Sequence, residues 1–415
     1  MSLEFHKLTQ QVEHMSQALS ASEREIEDKA ELARQILMRY GDAESLPHVD
    51  ERVMDAVARD AGYRGARPLY NPFDEPIAAV YSLQPPPEGA TLVVTDGSQI
   101  YPDPHGPALY YLLNMGTIIL HRASGEPPEV IGEPYLYYDP EYMKSPGQGM
   151  ISNAAISARR TVEEMKALAA HTWANRGAAR PLLALLDGPL IFFMGVEVPD
   201  RDVLLKMYFD AMGRIQQAQA GLIGYTDRPR SSFVVGLLHL LDTEPEMVSR
   251  RALATNGRLE GLSDAWLFRT LLEPGARTAI FVQMSPANKD FKGKGGEALE
   301  ICFFYMNVAG PGERSHVARV EIPRWVADDR ALVTEAQALL YDQCQQLTSR
   351  YPYLLTRADE VAVVRREEQQ QLEMMIKVAL TRQGVEAIES GKQSGKIATR
   401  VDKTRHGGAR KTRGG

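Results

Sequence analysis

The sequence predicts an α/β fold built on a mixed β-sheet flanked by helices, and three features lead there. Of 415 residues, 44% are apolar and 24% charged, a balance that can bury a sizeable core and that separates the chain from disordered or fibrous classes. Three strand-like runs arrive in succession before any helix. After them, helices alternate with short, continuously apolar runs of the kind found in strands covered on both faces. An antiparallel meander followed by αβ crossovers gives a mixed sheet, not a purely parallel doubly wound one.

The N-terminal region, residues 1–60, is expected to be helical. Phe5, Leu8, Val12, Met15 and Leu19 recur at spacings of three and four, a coiled-coil-type stripe that needs a surface to cover it, either its own domain or a dimer or partner contact. The Pro- and Gly-rich stretch from Gly62 to Gly89 marks residues 61–90 as a linker.

The main unit, residues 91–385, opens with the strand Thr91-Leu-Val-Val-Thr-Asp-Gly-Ser98 and continues with strands over Ala108–Leu120 and Glu129–Tyr138. A helix over Ile151–Trp173 follows, then a buried strand over Pro181–Leu186 that stops at Asp187-Gly188. Next come a helix over Arg201–Gln219, a strand over Gly221–Thr226, and helices over Ser232–Leu241 and Leu262–Leu272. Strands over Thr278–Met284, Leu299–Val308 and His316–Ile322 precede helices at about 328–349 and 358–382. Asn288–Gly296, with three Lys and three Gly, reads as a flexible basic loop. Residues 386–415 have no apolar periodicity and are expected to form a disordered basic tail.

Charge is unevenly placed. Eight of the 47 basic residues and one of the 54 acidic ones lie in the last 24 positions, so the rest of the chain carries 39 against 53. No apolar run reaches the roughly 18 to 20 residues of a membrane helix, and the N-terminus has no signal-peptide core, so a cytoplasmic protein without membrane contact is expected. Cys302 and Cys344 are too few for a disulfide framework or a Cys-based zinc site.

Phosphate-loop, dinucleotide, zincin and nucleophile-elbow motifs are all missing. What stands out is acid at strand ends. Asp96 ends a Val/Thr run and Asp187 follows Leu182-Leu-Ala-Leu-Leu186. Each alone reads most simply as a turn former before Gly. Together, at one edge of a mixed sheet, they suit a two-metal site, since hard divalent cations prefer carboxylate oxygens. Glu163 and Glu164, on the helix between the two strands, are the nearest further acids, although surface pairing with Arg159 and Arg160 is the plainer reading. Arg228, Arg230 and Arg277 are candidate phosphate contacts, with structural salt bridges as the alternative.

The segments Val93-Val-Thr-Asp-Gly-Ser-Gln99, Arg160–Glu164, Leu185-Leu-Asp-Gly-Pro-Leu190, Gly221–Thr226 with Arg228-Pro229-Arg230, and Leu262–Ala265 resemble the NurA nuclease family. So do Leu271–Arg277, Phe303–Tyr305, Arg319–Trp325 and Tyr351–Leu355. The resemblance spans about 90–380; single motifs are weak, but their order is specific. It implies an RNase H-like fold, a homodimer, and hydrolysis of DNA by 5′–3′ exonuclease and endonuclease action with Mn²⁺ (or Mg²⁺), two ions per site. It also implies work in DNA-end resection beside a HerA-type hexameric ATPase. Carried over, Asp96 is the first-strand metal ligand, Glu164 (or Glu163) the helix carboxylate and Asp187 the ligand joining the ions. The family places a His eight residues beyond the Tyr of its Tyr-Pro pair. Here Tyr351-Pro352 is followed at that distance by Asp359, which would still hold Mg²⁺ or Mn²⁺ but changes the ligand type. The expected function is therefore a metal-dependent DNA nuclease. The alternative is a catalytically silent DNA-end or ATPase-binding adaptor on the same fold.

Overall fold

The computed structural model describes residues 5–69, 75–139, 143–145, 149–192, 194, 195, 198 and 200–385. The basic tail expected over 386–415 lies outside them. In chain order the elements are α1 (Thr9–Arg39), α2 (Leu46–Ala58), β1 (Ala66–Pro68), β2 (Val80–Tyr81), β3 (Ala90–Ile100), β4 (Tyr111–Arg122) and β5 (Glu129–Tyr137). A small hairpin, β6 (Lys144–Ser145) and β7 (Gly149–Met150), leads to α3 (Asn153–Ala174), β8 (Leu182–Asp187), α4 (Arg201–Gln217), β9 (Gly221–Thr226), α5 (Phe233–Asp242) and α6 (Asp264–Phe268). The remainder comprises β10 (Arg277–Thr278), β11 (Phe281–Gln283), α7 (Pro286–Gly295), β12 (Ile301–Asn307), β13 (Val317–Pro323), α8 (Arg324–Ala327), α9 (Arg330–Gln345), α10 (Tyr353–Ala362) and α11 (Arg366–Arg382).

One large sheet runs β1-β11-β12-β13-β9-β8-β3-β4-β5. β3, β4 and β5 form the antiparallel meander; β3, β8 and β9 are parallel, joined by α3 and α4; β13, β12, β11 and β1 extend the sheet antiparallel beyond β9. The mixed sheet with helices on its faces is thus as expected, and the β-β-β-α-β-α-β order holds for β3–β9 apart from the added hairpin.

Period-two alternation splits the central strands between two cores. Val93, Ala184 and Leu222 face α3 and α4, while Leu92, Val94, Leu183, Leu185 and Ile223 face α9 and α10. α3 starts where Ser152, in an extended conformation, accepts the N–H of Ala155. Ala155, Ile156, Val162, Met165, Leu168, Ala169 and Thr172 then form its buried stripe. α10 lies unusually close to the meander because Gly116 gives it room: a Cβ there would stand 2.5 Å from the backbone N of Ala362 and 2.6 Å from the carbonyl of Ala358. Ser98 and Asn114 donate to the last carbonyl of α10, which caps a helix end otherwise short of partners.

A third core joins α1, α2, α5 and α6 to Phe281, Phe303 and Tyr305 of the extension. Residues 61–90, expected to link two units, instead contribute β1 and β2 to the sheet and Glu75 to its core. Asn288–Gly296 is not a loop. Ser285 caps α7, Pro286 sits in its first turn, and Phe291 is buried against Phe209 and Tyr208. The helix expected at 358–382 is two helices, because the chain leaves helical geometry between Ala362 and Arg366. Among the described residues no helix is long and apolar enough to cross a membrane.

Candidate active site

The parallel register between β3 and β8 pairs Val94 with Leu185, so two residues further on Asp96 and Asp187 stand side by side, on adjacent strands and on the face toward α10. In the antiparallel ladder Asp96 is opposite Gly116, the residue over which α10 passes. β8 ends at Asp187 because Gly188 turns away with φ +90°. The loop behind it is fixed from the far side of the sheet, where the buried Glu321 of β13, paired with Arg319 at 2.7 Å, accepts the Leu190 N–H at 2.8 Å. Tyr351, just before α10, has its hydroxyl near the Asp187 carboxylate and packs edge-on against Tyr225, the β9 neighbour of Asp187. Asp359, exposed on α10, adds its negative charge to the surroundings of Asp96.

Glu164 approaches from the opposite face. Its carboxylate occupies the space that a side chain on Gly97 would fill, 2.6 Å from the position of the missing Cβ. Arg160, one turn earlier, pairs with it at 3.1 Å. Glu163 points away and binds Lys166 at 2.8 Å, so of the two glutamates it is Glu164 that joins the aspartates.

Burial dominates the electrostatics. It pushes the Glu164 carboxyl up to about 8; Arg160 pulls the other way, and the charges of Asp96 and Asp187 add to the rise. Burial likewise pushes Asp96 up to about 6, opposed by the Gly97 N–H that it accepts at 2.8 Å and reinforced by Asp187 and Asp359. The Tyr351 hydroxyl is held well above its usual range by burial and by Asp187.

These carboxylates supply only hard oxygen donors, and their mutual repulsion is of the kind a divalent cation relieves. The donor set therefore fits such an ion. Among the described residues no three His, Cys, Asp or Glu side chains stand close enough to hold one as they are arranged here.

The candidate phosphate contacts divide. Arg228 and Arg230, just past β9, are exposed at the same sheet edge as Asp187. Arg277 is a correction: it is only 3% exposed, paired with the buried Glu75 through bonds of 3.0 and 3.2 Å, and stacked on Tyr81 at 4.0 Å. No phosphate reaches it. Asp264, in the first turn of α6, caps a neighbouring helix, accepting the N–H groups of Val234 and Val235 in α5 and the Tyr305 hydroxyl at 2.6 Å. Its own helix is capped by Ser263.

A profile of the NurA domain matches residues 90–364, about two thirds of the chain. The chain belongs to the NurA domain family. The matched span starts at the first residue of β3 and ends just past α10, so it contains every element of the carboxylate site. Among solved structures, the NurA nuclease from Sulfolobus solfataricus is similar at 13% identity, with a TM-score of 0.46 over 89% of this chain and 98% of that one. A crystal structure of NurA with manganese is similar at 9% identity, with a TM-score of 0.34 over 72% of this chain and 90% of that one. No curated protein matches the sequence.

Two features of this NurA chain were not legible in its sequence. One is the Glu321 anchor behind Asp187, which joins residues 131 positions apart. The other is a hydrogen bond of 2.6 Å between His316 and Asp227. An acid directly after the strand Gly221–Thr226 was the only hint of the second, and nothing local points to its partner.

Proposed function

We propose that this NurA-domain protein is a divalent-metal-dependent deoxyribonuclease whose metal ligands are Asp96, Asp187 and Glu164, with Asp359 completing the acidic edge. The observation that carries the reading is the pair Asp96 and Asp187, side by side at the ends of adjacent parallel strands, with Glu164 reaching the neighbouring Gly97 from the other face. A bound Mn²⁺ or Mg²⁺ supplies an activated water and stabilises charge on the phosphate. The chain's own groups prepare for that. Tyr351 sets its hydroxyl beside Asp187. Arg160 holds Glu164 beside Gly97, and Glu164 retains a proton near neutral pH while no cation faces it. Arg228 and Arg230 lie where they can meet the phosphates of a DNA strand.

Exonuclease and endonuclease action, a role in end resection and a HerA-type ATPase partner belong to the same proposal. So does a homodimer, supported by the exposed apolar residues Phe5, Val12 and Met15 along the start of the chain.

The test is cleavage of 5′- and 3′-labelled linear DNA with Mn²⁺, Mg²⁺ or EDTA, using wild type, Asp96→Ala and Asp359→Ala. Metal-dependent cutting by wild type, lost by a factor of at least about 100 in Asp96→Ala, supports the reading. A parallel loss in Asp359→Ala assigns that acid to the working site. Wild type that binds DNA without cutting under any metal replaces the nuclease with an adaptor.

A further inference from the structure

Beside the carboxylates lies a second, chemically opposite surface. From Tyr225, the strand neighbour of Asp187, the chain reaches Arg228 in three residues, at most roughly 10 Å. Arg228 there borders an open cleft of about 650 Å³ whose lining includes Trp266, Arg269, Arg314, Ser315 and His316. It thus collects three guanidinium groups and an imidazole, drawn from the loop after β9, the α6 segment and the residues leading into β13.

These groups are held in two ways. Arg269 is fixed, stacked on Trp266 at 3.7 Å and paired with Glu27 at 2.5 Å; His316 is fixed by Asp227. Arg228 and Arg314 are extended arms, 77% and 82% exposed, whose nearest carboxylates, Asp227 and Glu23, stand off at 3.7 and 3.8 Å. Arginine in this form offers a planar fork of donors that matches the oxygens of a phosphate. Two further donors, Arg269 Nε and Ser315 Oγ, are buried without a hydrogen-bond partner. Unpaired buried donors are rare, and each calls for an acceptor.

We propose that this cleft binds the phosphodiester backbone of the same DNA strand whose scissile phosphate sits at the Asp96–Asp187 edge. The inference rests on the nuclease reading and gives the strand a path: from the acidic edge, past the end of β9, between Arg228 and Arg314. Arg269, held by Trp266 and Glu27, and the two exposed arms Arg228 and Arg314 line that path. An acidic protein segment would meet the same charges; a nucleic acid strand is favoured because Arg228, at the mouth of the cleft, follows Tyr225, the strand neighbour of Asp187, by three residues.

The test is fluorescence anisotropy of a labelled single-stranded oligonucleotide in EDTA over a range of salt. It compares wild type with Arg228→Glu/Arg314→Glu and with a control, Lys206→Glu/Arg250→Glu, that changes net charge equally at exposed residues elsewhere. The cleft variant is expected to bind at least about 10-fold more weakly. Its slope of log affinity against log salt should be shallower by about 1.4, two phosphate contacts at about 0.7 each, while the control stays near wild type. An unchanged slope, or an equal loss in the control, overturns the proposal. Arg228→Ala/Arg314→Ala, which removes the charges without reversing them, should show the same change in slope with a smaller loss of affinity. Single-turnover cleavage with Mn²⁺ separates the two readings. If wild type never cuts but the binding loss is confined to the cleft variants, the nuclease reading fails and the cleft stands. If wild type cuts and the cleft variants bind and cut as it does, the cleft fails alone.

Discussion

At the scale of single residues, Asp96 and Glu164 are acids held in an environment that resists their charge. Glu164 shows the sign of the effect. Its carboxyl is raised to about 8 in the folded chain against an ordinary glutamate value near 4.3 when unfolded. Between those values the folded state binds a proton that the unfolded state does not, so in EDTA stability should fall as pH rises from about 4.3 to 8. Glu164→Gln removes that dependence and should melt higher than wild type at pH 8, by roughly 1–3 kcal/mol after allowance for screening. Thermal melts at pH 6 and pH 8 in EDTA check this; equal pH dependence in both proteins would refute it. The same environment explains what could be read in advance. Asp96 and Asp187 were legible because an acid ending an apolar strand is visible in the sequence. The choice between Glu163 and Glu164 was not, because it depends on which of two adjacent helix positions faces Gly97 across the sheet. Arg277 misled because Glu-Pro-Gly-Ala-Arg resembles a surface turn, while its partner Glu75 lies 202 residues away.

At the scale of elements, two glycines on adjacent strands set how closely helices approach the acids, and they do so differently. At Gly116 a methyl group would strike the backbone of α10, which cannot yield without lifting off the sheet. Gly116→Ala is expected to destabilise by at least about 1–3 kcal/mol and to part Asp359 from Asp96. At Gly97 a methyl group would meet only the end of the Glu164 side chain, which can swing aside. Gly97→Ala should therefore melt within about 1 kcal/mol of wild type yet lose most metal-dependent cleavage. Melting curves and cleavage rates for the pair give the comparison, and similar behaviour of the two variants would contradict it. Periodicity predicted the central strands well, since continuous apolar runs such as Leu182–Leu186 have few alternatives. It failed at α7, where Lys and Gly suggested a loop while the Ser285 cap, Pro286 and the buried Phe291 made a helix. It also failed to separate α10 from α11, because the break at Val363–Arg365 contains neither Gly nor Pro.

Across the whole molecule, α1 divides into two halves with different surroundings. From Ala30 onward it is packed against α5 and α6. Earlier, Val12 and Met15 are exposed on a helix with no described neighbour covering them. Charged replacements there, Val12→Glu with Met15→Glu, should leave the melting temperature within about 1 °C, because no folded-state contact is lost. They should lower the molar mass measured by light scattering if the proposed homodimer forms through this stripe; an unchanged mass would remove the stripe from that proposal. The sequence showed the stripe but not that the helix runs on beyond it into the third core, a fact that depends on α5 and α6, about 200 residues downstream.

The anchor behind Asp187 also bears on how small this protein can be made. The five strands β5-β4-β3-β8-β9 carry Asp96 and Asp187, and α3 and α10 packed on them carry Glu164 and Asp359, yet the backbone that turns after Asp187 is tethered by a carboxylate from a sixth strand. Glu321 in turn needs Arg319 to keep its charge tolerable in the interior. A fragment trimmed to the five strands would expose the edge of β9 and release that tether together. The smallest autonomous unit is therefore larger than the catalytic topology, and the extension cannot be treated as a detachable appendix.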